Sequence, residues 1–260
     1  MIIDCHTHIY NEKIYAEYKK AMAGKKFKAM VLDWKRANSK NIFEFTESKD
    51  NLFYIGTVNM YAGVKSQLKD LEVLFKGNNA FGIKIYPGYE SFYPCDKKVF
   101  PIAKLCIKYN RPLIFHSGDF WDEDGSALLK YSHPIHVDEL ASRFPECKII
   151  ISHFGFPYFL EAANVASKNK NVYTDISGTI DRPSDKQALQ RLLTHYQADL
   201  ERAFAYFPDV KMKILFATDY CGPDTPLDQV KPYLKIAKKL FTKKEQESLF
   251  FGLANKLFFS

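Results

Sequence analysis

Residues 2–10 read IIDCHTHIY. The apolar start predicts a strand over 2–7, with two histidines one residue apart at its C-terminal end. Successive side chains of a strand point to opposite faces, so Asp4, His6 and His8 are expected on one face and Ile3, Cys5 and Thr7 on the other. A histidine pair at a strand end is a weak signal alone, because exposed or core-bonded histidines look the same. Its meaning depends on what the rest of the chain sets beside it.

Seven further apolar runs predict strands at 29–33 (AMVLD), 53–58 (FYIGTV), 81–86 (FGIKIY), 112–116 (PLIFH), 148–153 (KIIISH), 171–176 (NVYTDI) and 213–218 (KILFAT). Between them, helical periodicity covers 64–76, 97–109, 136–144, 158–168 and 185–206, with Asp96 as a start signal and Gly77 as a stop signal. A strand, a loop, a helix and a return loop need about the length that separates successive strand starts. Eight such units predict an α/β protein of the (β/α)8 TIM-barrel class rather than an open doubly wound sheet. No linker rich in Gly, Ser or Pro divides the chain, so residues 1–260 are expected to form one barrel domain, its tail 226–260 supplying closing helices.

Composition sets wide bounds. With 47% hydrophobic and 26% charged residues the chain is that of a folded protein, not a disordered one. The net charge of +7 is spread over scattered pairs such as Lys25-Lys26 and Lys238-Lys239, which argues for a solvated surface and against a nucleic-acid stripe. A preference for anionic small molecules is compatible with it. Five cysteines, odd in number, far apart and without a CxxC, suggest neither a disulfide framework nor a zinc ribbon. With no 18-residue apolar run and no signal-like N-terminus, a cytoplasmic, unprocessed chain without membrane contact is expected, with assembly into a homo-oligomer open.

The partners for the histidine pair stand at other strand ends. His116 closes RPLIFH, His153 closes KIIISH and Asp219 follows KILFAT. Barrel active sites are assembled at the C-terminal ends of strands, so His6, His8, His116, His153 and Asp219 are expected to converge on one mouth. Singly, each has an ordinary reading: a hydrogen-bonded core histidine, or a helix-capping aspartate. Together they predict a metal site. Imidazoles and a carboxylate suit zinc, and manganese, iron or nickel share those ligand types.

The order HxH on strand 1, His on strands 5 and 6 and Asp on strand 8 resembles the amidohydrolase superfamily of metal-dependent hydrolases. The texts IIDCHTHIY, FGIKIYPGYESFYPCD, RPLIFHSG, DELASRFPECKIIISHFG and FATDYCGP are similar to its amidohydrolase-related branch, which includes the aminocarboxymuconate semialdehyde decarboxylases. The resemblance runs from residue 2 to GLANKLF near the end. It implies that His6, His8, His116 and Asp219 hold one divalent metal, that Asp219 takes a proton from metal-activated water, and that His153 polarises the substrate or moves protons. Asp4 would support a ligand from behind or bond within the barrel interior.

Lys84, in GIKIYP, is expected to point into the mouth. The resemblance implies two alternatives for it: a substrate-binding lysine beside one metal, which is favoured, or a carboxylated lysine bridging two metals with His153 on the second. His133 and Arg182 are further substrate-binding candidates, His133 outside the helix because Pro134 follows it and Arg182 as a bidentate partner for an anion. Tyr89, Phe120 and Trp121 would wall the mouth. The expected activity is hydrolysis of an amide, ester or lactone in a small organic, anionic substrate. The alternative is metal-dependent decarboxylation of an unsaturated acid. A TatD-like nuclease fits less well, because such enzymes carry a glutamate-containing GEIGLD-like strand 4 where this chain has GIKIYP; a non-catalytic metal-binding barrel is the remaining class.

Overall fold

The computed structural model describes residues 1–34, 39–121, 125–180, 185–222 and 230–260. Eight parallel strands run in chain order: β1 Ile2–Thr7, β2 Phe27–Leu32, β3 Leu52–Thr57, β4 Ile83–Ile85, β5 Leu113–Phe115, β6 Ile149–Ile151, β7 Val172–Asp175 and β8 Ile214–Leu215. Each pairs with the next, for example Lys84 with Ile114 and Thr174 with Ile214. The seam between β8 and β1 is joined by backbone bonds from Cys5 N to Phe216 O at 2.9 Å, Asp219 N to His6 O at 2.8 Å and His8 N to Tyr220 O at 2.7 Å. The sheet is thus a nearly closed barrel, alternating with helices as a TIM barrel does.

The helices are α1 Glu12–Ala21, α2 Ser39–Glu47, α3 Val64–Lys76, α4 Phe100–Lys108, α5 Leu129–Ser132, α6 Val137–Arg143, α7 Phe159–Lys168, α8 Lys186–Tyr206, α9 Val230–Leu240, α10 Lys243–Glu247 and α11 Leu253–Phe258. α3 coincides with the sequence reading. The segments predicted at 97–109 and 136–144 each begin as a short 3-10 turn before the α-helix. The last five strands are shorter than predicted at both ends, and residues just past their C-terminal ends, such as His116 and His153, lie outside the ladder.

Two apolar layers hold this together. The outer one packs strand residues such as Val31, Ile83, Phe115 and Ile149 against the helices; the inner one fills the barrel with Ile3, Met30, Leu32, Ile55, Ile114, Ile150 and Leu215. α11 joins the inner layer through Leu253, Ala254, Leu257 and Phe258, so the predicted closing helix plugs the barrel.

One expectation about β1 is corrected. Its register against β2 shifts between Asp4 and Thr7, which interrupts the alternation of faces. Ile3 and Cys5 lie in the inner layer, whereas the Asp4 carboxylate accepts hydrogen bonds from Tyr18 of α1 at 2.8 Å and from the Thr218 hydroxyl at 2.7 Å. Asp4 therefore does not share a face with His6; it ties β1 to α1 and to the end of β8. Burial raises its carboxyl to about 7 against the pull of those donors.

Candidate metal centre

The seam that closes the barrel also builds the site. Because Asp219 N donates to His6 O and His8 N donates to Tyr220 O, the ends of β1 and β8 are held edge to edge. Asp219 Oδ1 then lies 3.2 Å from His6 Nε2 and 3.1 Å from His8 Nε2. His153, just past β6, completes a group: ligating atoms of His6, His153 and Asp219 all lie within 4.8 Å of one another. His153 and Asp219 both adopt left-handed backbone, φ 61° and 58°, which is uncommon outside glycine and asparagine and typical of residues held in place by a site.

His8 shows which nitrogen faces the cluster. Its Nδ1 is 3.0 Å from the Leu32 carbonyl and 2.5 Å from the Tyr10 hydroxyl, which itself donates to that carbonyl at 2.7 Å. A carbonyl can only accept, so the His8 proton is on Nδ1 and a lone pair on Nε2 meets Asp219. Asp219 Oδ1 accordingly has no hydrogen-bond donor among the described residues, although it is buried. An anionic oxygen and a nitrogen lone pair at hydrogen-bond distance repel unless a cation, a proton or a metal ion, lies between them. Ligand atoms about 2.0–2.2 Å from one tetrahedral zinc ion stand roughly 3.3–3.6 Å apart, close to the 3.2 and 3.1 Å found here. The donor set fits a divalent metal.

The charge states agree. Burial, reinforced by Lys84, lowers His6, and burial lowers His153 to about 3, so both are neutral near pH 7. For Asp219 burial acts upward, and what holds the carboxyl well below its usual range is positive charge on His6, His8 and His153 with a hydrogen bond from His8; with the rings neutral, a metal cation would take that part. Neutral imidazoles and an ionised carboxylate are the forms that bind a metal.

His116 is placed differently from the expectation. Its Nε2 lies 3.0 Å from the Asp119 carbonyl and must carry the proton, leaving Nδ1 as its lone pair, and its ring centroid is 5.0 Å from that of His153. It stands beside the cluster of three, not within it, and His8, which meets Asp219 Oδ1, is likewise outside that group. Lys84 is fully buried in the barrel wall; its amine bonds the Ser152 hydroxyl, and burial lowers its ammonium to about 7 against Asp175 and Asp219. His133 caps the turn at Pro134–His136 and lies on the Tyr158 ring at 4.3 Å. Arg182 lies outside the described residues.

The mouth has an aromatic wall. Trp34 meets Tyr86 at 4.7 Å and Tyr89 at 4.9 Å, Tyr89 meets Phe120 at 4.8 Å, and His116 lies 4.9 Å from Tyr89 and 5.2 Å from Phe120. Trp121 stands 60% exposed at the rim, its backbone N–H donating to the Tyr89 hydroxyl at 2.8 Å.

The residue that sequence reasoning missed is Asp175, the last of β7. It is buried, and it meets His6 Nδ1 at 3.4 Å and the His153 N–H at 2.9 Å. Its position at a strand end, in VYTDISG, is the same signal that marked His116 and Asp219.

A family model described as Amidohydrolase matches residues 48–259, and the chain belongs to the amidohydrolase family. Members of this family include hydrolases and decarboxylases, and the family is generally dependent on a divalent metal. Among solved structures, a probable 2-pyrone-4,6-dicarboxylic acid hydrolase of Acinetobacter baumannii with citric acid bound aligns with TM-score 0.71 at 14% identity, over 98% of each chain. An amidohydrolase of Burkholderia multivorans with bound zinc aligns at 0.71 and 13%, over 99% of this chain and 98% of that one. A 2,6-dihydroxybenzoate decarboxylase from Rhizobium aligns at 0.67 and 12%, over 98% of each. At these identities the likeness is one of fold. A curated relative, Protein fluG of Emericella nidulans, is 39% identical over 67 residues, which span 26% of this chain and 7% of that protein.

Proposed function

We propose that the protein is a metal-dependent hydrolase of a small, anionic organic substrate, cleaving an amide, ester or lactone. The observation that carries this reading is the donorless Asp219 Oδ1 set between the Nε2 atoms of His6 and His8 at the barrel mouth. A divalent ion held there, zinc being the best match to the donors, would supply Lewis acidity and lower the pKa of water. His6, His8 and Asp219 would hold it. Asp219 would also be the base that takes a proton from the attacking water. The neutral imidazoles of His116 and His153 divide the remaining tasks, one completing the ion's shell and the other orienting the substrate carbonyl and moving a proton to the leaving group. The family resemblance implies His116 for the shell, and the 4.8 Å cluster supports His153. Metal analysis of His116→Ala and His153→Ala decides between them: the variant that loses its ion lacks the ligand.

Lys84 bears on metal count. Its amine bonds to Ser152 and has no solvent exposure, which supports one ion per chain; two ions together with a carbon dioxide adduct on Lys84 in a mass spectrum would replace that reading. A second reaction is favoured by the aromatic wall of Trp34, Tyr86, Tyr89 and Phe120, which suits a planar unsaturated acid and hence decarboxylation. A panel of carboxylated esters, lactones, amides and aromatic acids, assayed with carbon dioxide detection, separates the two. Hydrolysis abolished by chelation supports the first; carbon dioxide release without hydrolysis overturns it.

A further inference from the structure

The loop that leaves β7, Asp175-Ile176-Ser177-Gly178, lies behind two of the clustered histidines, and its hydrogen bonds can be counted proton by proton. The Ser177 hydroxyl has one proton, donated to Asp175 Oδ1 at 2.5 Å. Its oxygen also lies 3.0 Å from His153 Nδ1 and 3.2 Å from His6 Nδ1. With its proton committed, Ser177 can only accept from both rings. Asp175 Oδ2, 3.4 Å from His6 Nδ1, is an acceptor too, while Oδ1 takes the backbone N–H groups of His153 at 2.9 Å and Ser177 at 3.0 Å. Every group facing the two Nδ1 atoms is therefore an acceptor.

We propose that Asp175 and Ser177 are positioning residues that fix His6 and His153 as Nδ1–H tautomers, so that both rings hold an Nε2 lone pair toward Asp219. His8 reaches the same tautomer by different means, through Leu32 and Tyr10, and His116 takes the opposite one through Asp119. The arrangement makes one carboxylate serve two histidines from strands on opposite sides of the seam, with Ser177 relaying its charge to the farther ring. Gly178 lets the ring of His153 lie against the loop: at φ +72°, a Cβ there would fall 2.2 Å from His153 Nδ1. The purpose of the arrangement rests on reading the site as a metal centre; in the chain without metal, Asp219 Oδ1, 3.2 Å from His6 Nε2, is a competing acceptor that Asp175 and Ser177 together outweigh at Nδ1.

The test is nitrogen NMR of histidine rings in metal-free, ¹⁵N-histidine-labelled protein, where protonated and unprotonated ring nitrogens differ in shift. The wild type should show protonated Nδ1 in His6 and His153. Ser177→Ala should release the tautomer of His153 and leave that of His6, which keeps Asp175; Asp175→Asn should release both. Zinc affinity, measured by competition with a chelator, should fall about 10–100-fold in Asp175→Asn. Melting curves check that each variant is folded, and Ser177→Ala, the smaller change, serves if Asp175→Asn does not fold. Protonated Nε2 in the wild-type rings, or tautomers unchanged in both variants, overturns the proposal. A wild type that binds no zinc but whose tautomers respond as stated supports it and removes the metal reading instead.

Discussion

Lys84 is an amine sealed in the barrel wall, and that has a pH signature. Its ammonium is lowered from 10.5 to about 7 by burial, so between those values the unfolded chain binds a proton that the folded chain does not. Stability then rises with pH across this window, by up to about 1.4 kcal/mol per pH unit, and the full cost of burying the charge is present below pH 7. Urea unfolding at pH 7, 8 and 9 should show the rise in wild type and a flatter profile in Lys84→Met; parallel profiles would refute the assignment. Asp219→Asn keeps the shape of the side chain and removes the charge that faces His6 and His8. It should empty the site on metal analysis and lower turnover on the order of 10²–10⁴-fold, the range of a lost general base. At this scale part of the site was legible: an apolar run ending in His or Asp marks a barrel mouth, and it pointed to His6, His153 and Asp219, which the structure groups, and to His8 and His116 beside them. It would have located Asp175 as well, but an aspartate before Ile-Ser-Gly reads equally as the start of a turn. Tautomers and the orientation of His116 are decided by backbone carbonyls of Leu32 and Asp119, which no side-chain pattern encodes.

The elements were legible where burial is continuous. Parallel strands buried on both faces read as unbroken apolar runs, and all eight were found, within a few residues at their ends. α1 and α2 were not anticipated, because their apolar residues are diluted by charge: EKIYAEYKKA buries only Tyr18 fully. The register shift in β1 was equally invisible, since alternation is the rule it breaks, and Asp4 was misplaced on its account. Two variants examine elements. Gly178→Ala places a Cβ against His153 on left-handed backbone, and should cost about 1–3 kcal/mol in unfolding free energy while displacing that ring, visible as a weaker zinc affinity. Leu257→Ala opens a cavity under the barrel floor, where Leu257 packs with Ile3 and Leu215, and should cost about 2–5 kcal/mol by urea unfolding with the metal content unchanged.

For the whole molecule, the barrel's seam and its site are one structure: β1 and β8 meet through three backbone bonds and share the carboxylate of Asp219 between them. A bound ion would hold the two ends of the chain together, stabilising by about 2.7 kcal/mol at a concentration hundredfold above its dissociation constant. At about 2–4 °C per kcal/mol for a domain of this size, chelation should lower Tm by roughly 5–11 °C. An unchanged melting curve would count against an ion at the seam. The eightfold rhythm made the barrel legible, but not the tightness of this closure, which depends on loops after the last strand. The seam also orders events in time. On a ribosome, His6 and His8 emerge more than two hundred residues before Asp219, and at about 5–20 residues per second they wait roughly 10–40 s for it. Throughout that interval β1 is an open sheet edge bearing two unshared imidazoles, and the nascent chain's need for shelter ends only when its eighth strand is made.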